Sequence, residues 1–106
     1  MNLKCLKLDH NGLKTFPDLS HLPKLTHLFA NYNRLSDYND VEKIRVIPSL
    51  KELELIHNPL CRRSGYREYI VRHIPQLIYF DGIEITEEER VEEEQEDFIM
   101  DPTQLQ

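Results

Sequence analysis

Apolar residues recur at fixed offsets three times along the chain, and each time an asparagine follows. Leu3, Leu6, Leu8, Asn11 and Leu13 form the first set. Leu25, Leu28, Ala30, Asn33 and Leu35 form the second, and Leu50, Leu53, Leu55, Asn58 and Leu60 the third. Within each set the central apolar positions alternate with period two, as a short strand with one buried face does. The chain then bends, and the last leucine points back into the same core. The asparagine sits at the bend, where backbone groups cannot complete a ladder. Its side-chain amide both donates to and accepts from such groups. From Asn11 to Asn33 is 22 residues, and from Asn33 to Asn58 is 25. The pattern predicts strands at about Lys4–Leu8, His27–Ala30 and Glu52–Leu55. Ala30 is expected to leave room for a bulkier neighbour.

Between the strands the period changes. Phe16, Leu19 and Leu22, spaced by three, suit an irregular or 3₁₀ turn closed by Pro23. Asn39 with Glu42 three residues on reads as a capping box. Val41, Ile44 and Ile47 follow as the inward face of a helix stopped by Pro48. After Leu60 the repeat breaks. Ser64 is placed to cap a helix running to about His73, with Tyr66, Tyr69, Ile70 and Ile74 on one face and Pro75 at its end. Leu77 and Phe80 then point inward, as in a fourth strand.

Three registered copies of L-x-x-L-x-L-x-x-N-x-L are the signature of leucine-rich repeats. The stretch from Asn58 to Arg90 resembles the C-terminal cap of the short-repeat intracellular leucine-rich proteins. The matching residues are Asn58, Pro59, Tyr66, Arg67, Ile70, Val71, Pro75, Leu77, Asp81 and Gly82. That family includes the regulatory subunit of protein phosphatase 1, the A-prime protein of the spliceosomal U2 particle, acidic nuclear phosphoproteins, and axonemal and ciliary proteins. The resemblance implies an α/β fold, a right-handed solenoid with a short parallel sheet on its concave face. The outer side carries 3₁₀ and α turns, and a helical cap closes the C-terminal end. Residues 1–60 read as three repeats, 61–90 as the cap, and 91–106 as an acidic, disordered tail.

A chain of 106 residues makes one domain with a modest core. No apolar run approaches the roughly 18 residues of a membrane helix, and the first residues already belong to a repeat, so no secretory signal is expected. Cys5 and Cys61 fall in different repeats at different pattern positions and are not expected to meet. These features suit the cytosol or nucleus, and the resemblance adds cilium and axoneme. The formal charge of −6 is uneven. Residues 1–86 carry 12 Lys/Arg and 10 Asp/Glu, whereas residues 87–106 carry Arg90 alone against nine acids. Thr86 and Glu89 form a further capping box. Phe98, Ile99 and Met100 make an apolar triplet in the acidic tail, a pattern found in docking peptides as well as in ordinary tails.

Each repeat buries its face against its neighbours. No polar helix precedes Leu3, so the chain is expected to be the C-terminal part of a longer repeat array; the alternative is that its open edge pairs with a second copy or a partner.

Function in this architecture is expected on the concave sheet. Its outward positions are Cys5, His27, Glu52 and Tyr79 in one row and Lys7, Phe29, Glu54 and Asp81 in the next, with His10, Tyr32 and His57 at the bends. Phe29 and Tyr32 read as an aromatic centre, flanked by Glu52, Glu54 and Asp81; exposed aromatics anchor interfaces. The predicted partner-binding set is Phe29, Tyr32, His27, Glu52, Glu54, His57, Tyr79 and Asp81. The simpler alternative is that Phe29 only covers its neighbours. Phe29 and Glu54 are expected to point to solvent with no part in folding, and Lys43 to be an uninvolved outer residue.

His10, His27 and His57 with Cys5 and Glu52 owe their spacing to the repeat. No CxxC or HExxH supports a metal site, and three glycines make no phosphate loop. No catalysis and no cofactor are expected. Arg62, Arg63, Arg67 and Arg72, interleaved with Tyr66 and Tyr69, are the residues that would contact RNA. Arg67 belongs to the cap motif, however, and the acidic tail repels phosphate. The expected partner is therefore a protein: the resemblance admits a phosphatase, a ribonucleoprotein component or an axonemal subunit. Membership of a ribonucleoprotein, or RNA contact through the basic cap, is the alternative.

Overall fold

The computed structural model describes residues 2–90. Five short strands form one sheet in chain order: β1 (Cys5–Lys7), β2 (His27–Phe29), β3 (Glu52–Glu54), β4 (Tyr79–Phe80) and β5 (Ile83–Glu84). The first four are parallel, with Leu6, Leu28, Leu53 and Phe80 in register. Their side chains point inward, and Leu28, Leu53 and Phe80 are fully buried. Strands this short suffice because each repeat's leucines fill one continuous core, from Phe16 to Phe80. Burying each such side chain stabilises the fold by about 1.5–3 kcal/mol. The predicted α/β solenoid and its four parallel strands are observed.

The segment from Phe16 to Leu22 is irregular apart from a turn at Ser20 and His21, and buries Phe16, Leu19 and Leu22, as their spacing predicts. The second return carries α1 (Asn39–Arg45), which buries Val41 and Ile44. Its cap differs from expectation. Asn39 lies inside the helix, and Asp37 Oδ1 accepts the Asn39 N–H at 2.8 Å. Glu42 turns to Arg45 instead, at 2.9 Å. A 3₁₀ turn (Pro59–Arg62) follows β3 and leads to α2 (Tyr66–His73). Ser64 does not cap α2. Gly65, at φ +73°, makes the left-handed entry that a side chain would resist. α2 buries Ile70 and Val71. Tyr69 stacks on both Tyr38 and His73, centroids 3.9 and 3.8 Å apart, and so joins α2 to the second repeat.

The predicted role of the asparagines holds where a repeat stands on each side. Asn33 Oδ1 accepts the N–H groups of Asn11 and Leu13, and its Nδ2 donates to the carbonyls of Leu8 and Ala30. Asn58 Oδ1 accepts the Leu35 N–H, while its Nδ2 donates to Ala30 and Leu55. Both are buried. Among the described residues no repeat precedes Asn11; it is exposed and donates to the Asp9 carbonyl. At that same end Leu3 is 40% exposed, while Leu6 and Leu8 are partly buried.

The cap is latched twice. Arg67 Nε and Nη2 donate to the Glu89 carboxylate at 2.7 and 3.2 Å, and Nη1 donates to the Phe80 carbonyl. Arg90 donates to the carbonyls of Val71 and Leu77. The predicted Thr86–Glu89 capping box forms, with the Thr86 N–H on Glu89 Oε1 and the Glu89 N–H on Thr86 Oγ1. The acidic segment 91–106, with Phe98, Ile99 and Met100, lies outside the described residues.

Candidate functional site

The register of β1 to β4 sets out the exposed face of the sheet. Cys5, His27, Glu52 and Tyr79 lie side by side in one row, and Lys7, Phe29 and Glu54 in the next. Charge changes along the face: Lys7 stands on β1, Glu52 and Glu54 on β3, and Glu84 beside Tyr79 on β5. His27 is held from two sides, with Nδ1 2.8 Å from Thr26 Oγ1 and Nε2 3.5 Å from Glu52 Oε1. Its ring also leans on Phe29, centroids 6.3 Å apart. His27, Phe29 and Glu52 therefore make one contiguous patch, and all three are half-buried. Tyr79 extends it toward the cap, 42% exposed.

Two members of the predicted set carry structural work as well. Glu54 Oε1 accepts a bond from Asn31 Nδ2 at 2.9 Å, and Asn31 Oδ1 accepts the Ile56 N–H at 2.8 Å. Glu54 thus braces the exit from β3, and does not stand free as its strand position suggested. Asp81 is not on the sheet floor. Asp81 and Gly82, at φ +53° and +80°, form the two-residue turn between β4 and β5. An Asp-Gly pair is favoured in such a hairpin. The Asp81 carboxylate accepts the Leu55 N–H at 2.7 Å and the Tyr66 hydroxyl at 2.9 Å. Burial pushes its pKa up, against the pull of those bonds. Burial, with the Asp81 charge next, pushes the Tyr66 phenol up as well.

Tyr32 and His57 lie at the bends that follow β2 and β3. His10, Tyr32 and His57 occupy equivalent bends in three repeats, with φ of 61°, 59° and 62°. Their rings stack in series, His10 on Tyr32 at 4.4 Å and Tyr32 on His57 at 4.5 Å. His10 was absent from the predicted set, although its 22-residue offset from Tyr32 carried the signal. Arg62 was placed with the basic cap; it lines a cleft of about 600 Å³ beside His57. Of the basic cluster, Arg67 is spent inside the cap, and Arg63 donates to the Ser36 carbonyl and lies over the Tyr38 ring.

Among the described residues no group of three His, Cys, Asp or Glu side chains is placed to hold a metal ion. Cys5 and Cys61 are both free thiols, and Cys61 Sγ donates to the Leu55 carbonyl. No helix of the described residues is long and apolar enough to cross a membrane.

The sequence profile described as "Leucine-rich repeat" matches residues 1–101. Leucine-rich repeat-containing protein 51 of Rattus norvegicus is 32% identical over 90 residues, 84% of this chain and 47% of that protein. The Mus musculus protein of the same name matches over the same shares at the same identity. The chain thus spans about half the length of the curated relatives it matches. Among solved structures, a chain of the Drosophila melanogaster SNF/U2A' complex superposes with a TM-score of 0.82 at 26% identity, over 88% of this chain and 55% of that one. The Mex67 LRR domain from Chaetomium thermophilum superposes at 0.70, also at 26% identity, over 84% of this chain and 63% of that one.

Proposed function

This chain belongs to the leucine-rich repeat family, and we propose that it is a non-catalytic module that binds a protein partner on the exposed face of its sheet. The observation that carries this reading is the His27–Phe29–Glu52 patch. An aromatic ring half-open to solvent, with a carboxylate on the neighbouring strand, offers an anchor and an orienting charge. Tyr79 continues the patch, Tyr32 and His57 wall it on one side, and Glu54 and Asp81 add negative potential at its cap end. Two similar structures are described as assemblies, the SNF/U2A' complex and the Mex67:Mtr2 subunits, which supports a protein as the partner class. A phosphatase, a ribonucleoprotein component and an axonemal subunit remain the partner classes to separate.

Placing a photo-cross-linking phenylalanine analogue at position 29, and at Lys24 as an exposed turn control, tests the proposal. A protein adduct at 29 and none at 24 is the expected result. An RNA adduct formed through Arg62, with none at 29, identifies the basic cap as the working surface instead. At the other end Leu3, Leu6 and Leu8, which no repeat covers among the described residues, are a second, apolar contact surface, through which an isolated 1–106 chain pairs with another copy.

A further inference from the structure

The ring ladder at the rim stops one rung short of the cap. Counting from Leu77, the fourth equivalent bend falls at residue 84, but the chain has already reversed at Asp81–Gly82 and Glu84 lies in β5. The space left there is the cleft of about 600 Å³, within the usual range of small-ligand pockets, about 300–1,000 Å³. Ile56, His57, Pro59, Cys61, Arg62 and Asp81 line it. His57 contributes to the lining, and Tyr32, which covers one face of its ring, does not.

We propose that this cleft takes a single aromatic side chain with a ring-borne donor, a tyrosine or tryptophan, presented by the protein partner. The ring stacks on His57 as a fourth rung, against the apolar sides of Ile56 and Pro59. Its O–H or N–H donates to the Asp81 carboxylate. Both oxygens of that carboxylate already accept one bond, and each retains a lone pair. The Arg62 side chain makes no hydrogen bond to any other described residue and is available to a carbonyl or an acidic side chain beside the incoming ring. A nucleotide fits less well. Only one arginine lines the cleft, while Asp81 sits within it and Glu54 near it, and phosphate recognition depends on summed positive charge. This inference rests on the reading of the chain as a partner-binding module, and adds what the partner presents.

The test is an NMR titration of the 1–106 chain with N-acetyl-tryptophan amide, N-acetyl-tyrosine amide, N-acetyl-leucine amide and adenosine monophosphate. The aromatic amides are expected to shift the amide signals of Ile56, His57, Cys61 and Asp81 at millimolar concentrations, and the leucine amide is not. His57→Asn removes the ring yet tolerates the left-handed backbone, and weakens the aromatic amides about three- to tenfold, the worth of one stacking contact. His57→Tyr restores binding, because Tyr32 already shows that a tyrosine fits this bend. The proposal is overturned if the aromatic amides leave the cleft signals unmoved, if His57→Asn binds them like wild type, or if the nucleotide binds more tightly than either. Lys24→Ala leaves amide binding unchanged, and the sheet-face reading is tested apart from the cleft, by partner capture with Phe29→Ala.

Discussion

The carboxylate of Asp40 accepts the backbone N–H of Phe16 at 3.0 Å, from a position in α1 that is only 4% exposed. The same oxygen accepts the Thr15 hydroxyl, and Lys43 Nζ lies 4.0 Å away while donating to Thr15 Oγ1 and the Phe16 carbonyl. The outer turn of the first repeat is thereby pinned to the helix of the second. Asp40→Ala strands a buried N–H and is expected to cost about 1–3 kcal/mol, read by thermal or urea unfolding. Lys43→Ala lowers stability by less. Lys43 is thus a brace and not the inert surface residue that its helical position suggested.

Asn33→Ala removes three bonds to the first repeat and two to its own. The expected loss is again about 1–3 kcal/mol, with the bend left unsatisfied. Unchanged unfolding of this variant contradicts the bridging role.

Tyr38 offers the opposite case. Its hydroxyl is buried without a hydrogen-bond partner among the described residues, while its ring stacks on Tyr69. Tyr38→Phe keeps the stack and removes the unsatisfied group, so stability is expected to be unchanged or to rise by up to about 1 kcal/mol. A large loss on unfolding indicates an unseen partner for the hydroxyl.

The repeat strands and their register were legible in the sequence because a solenoid copies one local solution, so offset alone places each side chain. The cap motif likewise placed Arg67 and the Thr86–Glu89 box. The departures are tertiary. Asp40 is polar on a buried helical face, and only the neighbouring turn explains it. Asp81 read as a strand residue because its row was extrapolated past the point where Asp-Gly turns the chain. Tyr32 was grouped with Phe29 by offset, but its stacking between His10 and His57 follows from the left-handed bends, which spacing alone does not show. Glu54 faces outward as predicted, yet its bond to Asn31 follows from side-chain reach, which spacing does not encode.

The Arg67 guanidinium, bonded to Glu89, holds that carboxyl below its usual value of 4.5. A carboxylate whose folded pKa is depressed stabilises the fold above its unfolded pKa and loses that contribution as pH falls through the folded value. The cap is therefore expected to loosen as pH drops below about 4.5. Glu89→Gln is less stable at neutral pH and less sensitive to acid, measured as the melting temperature between pH 6 and 3. Parallel pH dependence of the two proteins excludes this latch.

At the β1 edge Leu3, Leu6 and Leu8 lack a covering repeat among the described residues. An isolated 1–106 chain is expected to self-associate with rising concentration or to bind an apolar dye. Leu3→Lys reduces both. A monomeric, dye-silent chain at high concentration contradicts an open apolar edge.

The sheet-face account is tested most directly by quantitative capture from native lysate, with wild type, Phe29→Ala, Glu54→Gln and Lys24→Ala run in parallel and folding checked for each. Glu54→Gln removes the charge and keeps an acceptor for Asn31. The account predicts one dominant protein partner whose affinity falls by about 2 kcal/mol, more than tenfold, in Phe29→Ala. It predicts a smaller, salt-dependent loss in Glu54→Gln and none in Lys24→Ala. Full capture by Phe29→Ala and Glu54→Gln, with loss on Arg62→Ala or on removal of residues 92–106, contradicts it and moves the binding surface to the cap or the tail.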